Sequence, residues 1–249
     1  MSIRRLECET RSHVGLVRKS NQDYLECFPQ DGVLLLADGM GGHRAGEVAA
    51  RVAVKAAADV ISSTSWEESA DVLQSMLLIG GAVEGANQAV VQAGEENPDL
   101  AGMGTTLVLA VFRLGRVFFA HVGDSRLYRL RDGQLQCLTR DHSLVQDLVD
   151  EGVYVNRAAA RAAGIGDNIL TRSVGLRSDV EPDLGEEMLD PDDLYLICSD
   201  GLCGRVSDHE IGHIMSSEET LCQMGDNLLQ LALDAGGRDN ISLILARAE

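Results

Sequence analysis

The sequence predicts an α+β layered fold, and three observations carry that expectation. Apolar strand segments follow one another in hairpin succession, two long alanine-rich helices are inserted among them, and the regular strand–helix alternation of a Rossmann-type sheet is missing. Strands are expected at about 3–11, 23–28, 33–37, 104–113, 116–122, 125–131, 134–139, 180–188, 193–199 and 240–247. Segments at about 46–62 and 67–96 place apolar residues at i, i+3 and i+4, the spacing of amphipathic helices that lie on a sheet. Shorter helices are expected at about 141–152, 207–216 and 218–235, with Asp141 as a helix cap. The Gly- and Ala-rich stretch 152–169 reads as a mobile loop or short helix.

A chain of 249 residues, 45% hydrophobic and with mean hydropathy near zero, can bury a sizeable core, and one domain spanning 1–249 is expected. The formal charge of −18 argues against nucleic-acid binding, which draws its affinity from clustered Lys and Arg. The start "MSIRRLECETRSH" lacks an apolar signal core, and no apolar run approaches the roughly 20 residues that span a bilayer. A cytoplasmic protein without membrane attachment is expected, a monomer by default. Cys8, Cys27, Cys137, Cys198, Cys203 and Cys222 form no C-x-x-C pair, and most have apolar neighbours, so free buried thiols are expected in place of zinc ligands or disulfides.

Asp-Gly occurs four times, and the copies differ. Asp132-Gly133 lies between alternating segments, as in a tight hairpin, and Asp31-Gly32 precedes its strand; both read as plain turns. Asp38 and Asp200 instead follow the continuous apolar runs "VLLLA" and "LYLICS", which suggest strands covered on both faces. Asp124 in "FFAHVGDSR" and Asp239 in "GGRDNISLILA" share this grammar of an Asp at the edge of an apolar strand. Taken singly, each is as well explained by a turn or a cap. Together they need pairing, hydrogen bonds or a metal, because partly buried carboxylates cannot stand alone. Carboxylate and carbonyl oxygens without His or Cys clustering suit a hard divalent ion such as Mg²⁺ or Mn²⁺, and Gly39 would let a backbone carbonyl approach it closely.

The ordered segments "GLVRKSNQD", "DGMGGHRAGE", "GMGTTL", "VGDSRLY", "TRDHS", "LTRSVG", "SDGL" and "DNIS" extend from about residue 11 to residue 246. In this order they resemble the bacterial branch of the type 2C metal-dependent Ser/Thr protein phosphatases. The resemblance implies an αββα sandwich, two antiparallel sheets flanked by helix pairs, with two metal ions at one end. It implies that Asp38 bridges both ions, that the Gly39 carbonyl holds one, that Asp200 and Asp239 hold the other, and that Asp124 with Asp200 forms a weaker third site. Arg18 matches a phosphate-binding arginine, suited to bidentate contact with phosphoryl oxygens. His43 matches a histidine that protonates the leaving Ser or Thr oxygen. Water held between the two cations would be the nucleophile, with no covalent phosphoenzyme. Substrates would be phosphorylated Ser/Thr proteins, among them a cognate Ser/Thr kinase and its targets.

Gln22 stands where this family often has Glu, so acidity near the second ion must come mainly from Asp23, and Ser242 replaces the usual Thr of "DNIS". Asn240 is expected to brace the loop bearing Asp239, Thr105 and Thr106 to begin a strand behind the site, and His121 and His142 to be structural. No G-x-x-x-x-G-K-[ST] loop is present, and no Cys has an Arg six residues on, as a cysteine phosphatase requires. The rival is a catalytically silent, partner-binding domain of the same fold, which loss of a metal Asp would favour; Asp38, Asp200 and Asp239 are all retained.

Overall fold

A computed structural model describes residues 6–41, 44–63, 71–166 and 169–248. One antiparallel sheet contains, in spatial order, β1 (Leu6–His13), β11 (Ile241–Ala248), β10 (Leu194–Cys198), β7 (Arg126–Arg131) and β8 (Gln134–Cys137). The other contains β2 (Asp23–Phe28), β3 (Val33–Met40), β5 (Leu107–Arg113), β6 (Arg116–Val122) and β9 (Asp183–Met188), while the two-residue β4 (Gly104–Thr105) pairs with the end of β3. Helices α1 (Ala45–Ser63) and α2 (Val72–Glu96) cover the second sheet, and α6 (Asp208–Met215) and α7 (Leu221–Asp234) cover the first. The remaining helices are short: α3 (Leu144–Asp150), α4 (Arg157–Ala162) and α5 (Asp200–Cys203).

The four layers follow from the period of two along each central strand. Val33, Leu35 and Ala37 of β3 pack under α1 and α2, whereas Leu34 and Leu36 point between the sheets. In the other sheet Leu196 of β10 and Leu243 and Leu245 of β11 lie under α7, while Ile197 and Ile244 point between the sheets. Both faces of these strands are therefore covered, which is why they read as unbroken apolar runs. The α1 stripe Ala49, Ala53 and Ala57 is fully buried, and its small side chains let the helix approach the sheet closely. Capping residues set the starts of the later helices. Asp71 accepts from the Gln74 N–H at the start of α2, and Ser207 with Glu210 and Thr220 with Gln223 form capping boxes on α6 and α7.

The expected strands and helices are present with ends shifted by a few residues, and two local features differ, the division of one strand and the cap of α3. The strand expected at 104–113 is divided at Thr106, whose N–H and hydroxyl are both engaged with the Asp38 backbone. The stretch expected as a mobile loop or short helix contains α4, and the part of the long helix expected at 67–70 lies outside the described residues. Asp141 is not the cap of α3: Ser143 takes that position, and its hydroxyl accepts from the Gln146 N–H at 3.3 Å. Among the described residues no helix is long and apolar enough to cross a membrane.

Candidate active site

The four Asp-Gly pairs divide as their strand context suggests. Gly32 and Gly133 have φ of +66° and +71°, as turns require, and Asp132 at +51° completes the two-residue hairpin loop between β7 and β8. Gly39 and Gly201 have no such φ, and glycine is needed there for close approach. A Cβ at Gly39 would lie 2.0 Å from the Gly46 carbonyl oxygen of α1, and one at Gly201 would lie 1.8 Å from the Asn240 carbonyl oxygen. These two glycines let helix and loop backbones press against the strand ends that bear Asp38 and Asp200.

Strand parity then aims the carboxylates. Asp38 continues the inward series Leu34, Leu36, and Asp23, its register partner on β2, continues the inward series Cys27, Leu25. Both thus project from the inter-sheet face at the same end of the sandwich. Asp200 opens α5 directly after β10, and Asp239 immediately precedes the Asn240 that leads into β11. Thr106 Oγ1 accepts from the Asp38 N–H at 2.9 Å, and the Asp38 carbonyl accepts from the Thr106 N–H and from Thr105 Oγ1, both at 2.9 Å. The strand beginning behind the site therefore fixes the Asp38 backbone at three points.

The cluster is electrostatically overloaded. Asp23 is buried, and Asp38, Asp124, Asp200 and Asp239 are half-buried. Desolvation, reinforced by Asp23, Asp200, Asp124 and Asp239, pushes the Asp38 carboxyl well above the ordinary range. Desolvation is also the main cause for Asp200, raised to about 6, Asp23, to about 7, and Asp124, to about 8; Asp200 is pushed further by Asp239, and Asp23 and Asp124 by Asp200. A side-chain interaction with Asp38 offsets part of the rise at Asp200. Asp23 Oδ2 accepts from Ser199 Oγ at 2.8 Å, yet Asp23 Oδ1 and Asp200 Oδ1 are buried without a hydrogen-bond partner.

Asn240 organises the loop beside the cluster. Its Oδ1 accepts from the Gln22 N–H at 2.8 Å, and its Nδ2 donates to the carbonyls of Val14 and Ser20, both at 2.9 Å. It thereby clamps both ends of the segment carrying Arg18. The Arg18 guanidinium reaches the cluster and donates to Asp239 Oδ2 at 2.6 Å while its side chain stays half-exposed. His43 lies outside the described residues.

His121 and His142 stack with centroids 4.5 Å apart, behind the loop that bears Asp124. His142 Nδ1 accepts from the Gly123 N–H at 3.2 Å, so the neutral ring carries its proton on Nε2, 3.2 Å from Asp183 Oδ2. That tautomer turns an N–H towards Asp183, but the geometry closes no hydrogen bond and the nitrogen is buried without a partner. Burial and the neighbouring His121 hold it down at about 4, which keeps it neutral. Its backbone N–H also donates to the Gly123 carbonyl, which ties the pair to the loop that bears Asp124.

Sequence reasoning missed one buried network. Asp141 receives Arg126 bidentately, Nε to Oδ1 at 2.7 Å and Nη2 to Oδ2 at 3.0 Å, and it also pairs with Arg157 of α4. Its carboxyl is raised by burial despite the nearby guanidiniums of Arg126 and Arg140. The "GDSR" arginine is thus spent on anchoring the segment before α3, while Asp124 faces the cluster.

Known proteins share this architecture and sequence. The profile of the protein phosphatase 2C family matches residues 12–236. The serine/threonine phosphatase stp of Listeria monocytogenes is 35% identical over 247 residues, covering 98% of this chain and 96% of that protein. The serine/threonine protein phosphatase PstP of Mycobacterium tuberculosis is 39% identical over 245 residues, covering 97% of this chain and 45% of that longer protein. A crystal structure of the PstP catalytic domain in complex with 2 manganese ions superposes with a TM-score of 0.84 at 37% identity, covering 98% of each chain. On both profile and full-length similarity, the chain belongs to the protein phosphatase 2C family.

Proposed function

We propose that this chain is one catalytic domain that hydrolyses phosphoserine and phosphothreonine in proteins with divalent cations, Mn²⁺ or Mg²⁺, held by the carboxylate cluster. The observation that carries the reading is the convergence of Asp23, Asp38, Asp200 and Asp239 with two buried oxygens, Asp23 Oδ1 and Asp200 Oδ1, that have no partner. Oxygen donors of this kind fit hard cations. Asp38, the Gly39 carbonyl, Asp23, Asp200 and Asp239 would hold two ions, and Asp124 with Asp200 a weaker third. When bound, the ions supply a low-pKa water nucleophile and neutralise charge on the phosphoryl group. The chain's own residues do the rest. Thr105 and Thr106 keep Asp38 in one position, and Asn240 presents the Arg18 loop. Arg18 binds phosphoryl oxygens through guanidinium N–H groups not committed to Asp239. His43 donates a proton to the leaving Ser or Thr oxygen, a role that rests on the family resemblance. Phosphoproteins made by a Ser/Thr kinase are the substrate class, including the kinase itself.

The test is phosphate release from a phosphothreonine peptide by the full chain. Turnover is expected to require Mn²⁺ or Mg²⁺, and Asp239→Asn is expected to lower kcat/KM by about 100-fold or more. A chain without turnover at saturating Mn²⁺ and Mg²⁺ would instead be the silent, partner-binding form of the fold.

A further inference from the structure

All six cysteines are free thiols, and two of them lie on the adjacent edge strands of the two sheets, packed against the core between them. Cys8 lies on β1 and Cys27 on β2, the edge strands of the two sheets, which are in contact with one another. By strand parity Cys8 follows Leu6, and Cys27 follows Leu25, on the faces that look between the sheets; both cysteines pack against the inter-sheet core. Each is half-buried, so small solutes can reach them. A disulfide between two packed sheets is geometrically ordinary, since immunoglobulin domains carry one.

We propose that Cys8 and Cys27 form a peroxide-oxidisable dithiol that closes to a disulfide tying the two sheets together at their shared edge. The pair is asymmetric. The interaction between the two thiols lowers Cys27, whereas the same interaction, burial and the flanking Glu7 and Glu9 raise Cys8. Cys27 is therefore the nucleophile and Cys8 the resolving thiol. Cys27 sulfur attacks one peroxide oxygen, the O–O bond breaks, and the departing hydroxide is protonated to water, leaving a sulfenic acid on Cys27. Cys8 sulfur then attacks Cys27 sulfur, the S–O bond breaks, and the hydroxyl leaves with the Cys8 proton as a second water. Two thiols lose two electrons, and one peroxide is reduced to two waters.

The other neighbouring thiols provide an internal contrast. Cys198 and Cys203 also interact, but both are buried, and the Cys203 thiol is raised well above its ordinary value. Both are shielded from peroxide, and Cys203 is poor in thiolate. The Cys8–Cys27 pair is also clear of the active site: Cys27 is four residues along β2 from Asp23, about 13 Å at the rise of a strand.

The experiment treats the folded full chain with hydrogen peroxide, alkylates the remaining thiols, and digests with trypsin for mass spectrometry. The expected product is peptide 6–11 linked to peptide 20–44 through Cys8 and Cys27. Loop closure should raise the Tm of the oxidised chain by several degrees, reversibly with dithiothreitol. With dimedone present, Cys8→Ser should trap a sulfenic acid on Cys27, and Cys27→Ser should give no adduct on Cys8. The native-chain result does not depend on either variant folding. Peroxide treatment that leaves Cys8 and Cys27 both alkylatable while exposed Cys222 is oxidised would overturn the proposal, as would a dimedone adduct on Cys8 in Cys27→Ser.

Discussion

An Asp38→Asn chain is expected to lose metal-stimulated turnover and yet, in EDTA at about pH 7.5, to melt higher than the native chain. The carboxyls of the cluster titrate above their ordinary value when folded: Asp200 at about 6, Asp23 at about 7 and Asp124 at about 8, with Asp38 also raised. Between about pH 4 and 8 the folded state therefore binds more protons than the unfolded chain, and stability falls as pH rises. The contribution of these protonated carboxyls is complete below about pH 4 and is lost progressively as pH rises to the folded values of about 6 to 8. At pH 7.5 the cluster opposes folding, and removing the cost of one buried carboxyl should return on the order of 1–2 kcal/mol, or about 2–8 °C in Tm for a domain of this size. Saturating Mn²⁺ should reverse the order, because a ligand at 100 times its Kd adds about 2.7 kcal/mol to a chain that binds it. Calorimetry of both chains, with EDTA and with Mn²⁺, makes the comparison. An Asp38→Asn chain less stable than native in EDTA would show that Asp38 serves packing, not charge.

The second large effect lies outside the cluster. Arg126→Ala should destabilise the chain by about 3–5 kcal/mol, because it leaves the buried Asp141 carboxylate with only the half-buried Arg157. Arg126 also donates to Tyr128 Oη at 2.8 Å, which in turn donates to Asp208 at 2.9 Å, so the truncation unties β7 from the start of α6 as well. Removing both charges as Arg126→Met with Asp141→Leu should recover most of the loss, since well-packed apolar residues can replace a buried ion pair. Urea denaturation of the single and double variants measures this. A single variant within about 0.5 kcal/mol of native would contradict the account.

Much of this architecture was legible because its physics is local. Unbroken apolar runs at β3 and β10 indicated strands covered on both faces, and in the structure their alternation divides residues between the helices and the opposite sheet. The division of the Asp-Gly pairs was legible from flanking pattern alone, although the reason for Gly39 and Gly201, backbone contacts with Gly46 and Asn240, depends on elements distant in the chain. Asp141 misled because Asp before a helix is a common cap; Ser143 two residues later satisfies that need, freeing Asp141 for Arg126 and Arg157. The Arg18–Asp239 pair and the Asn240 clamp join positions more than 200 residues apart, so no local pattern announces them. The same holds for Cys8 and Cys27, which only the stacking of two edge strands brings together.

The central claim is that the carboxylates at the open end of the sandwich hold divalent cations. It is tested most directly by isothermal titration of the metal-free chain with Mn²⁺ at about pH 7, in two buffers of different ionisation enthalpy. At least two ions should bind per chain, with release of protons, because carboxyls raised to about 6, 7 and 8 must ionise to become ligands. Asp38→Asn should lose the tightest binding. Absence of saturable Mn²⁺ binding, or binding unchanged by Asp38→Asn and without proton release, would contradict the account.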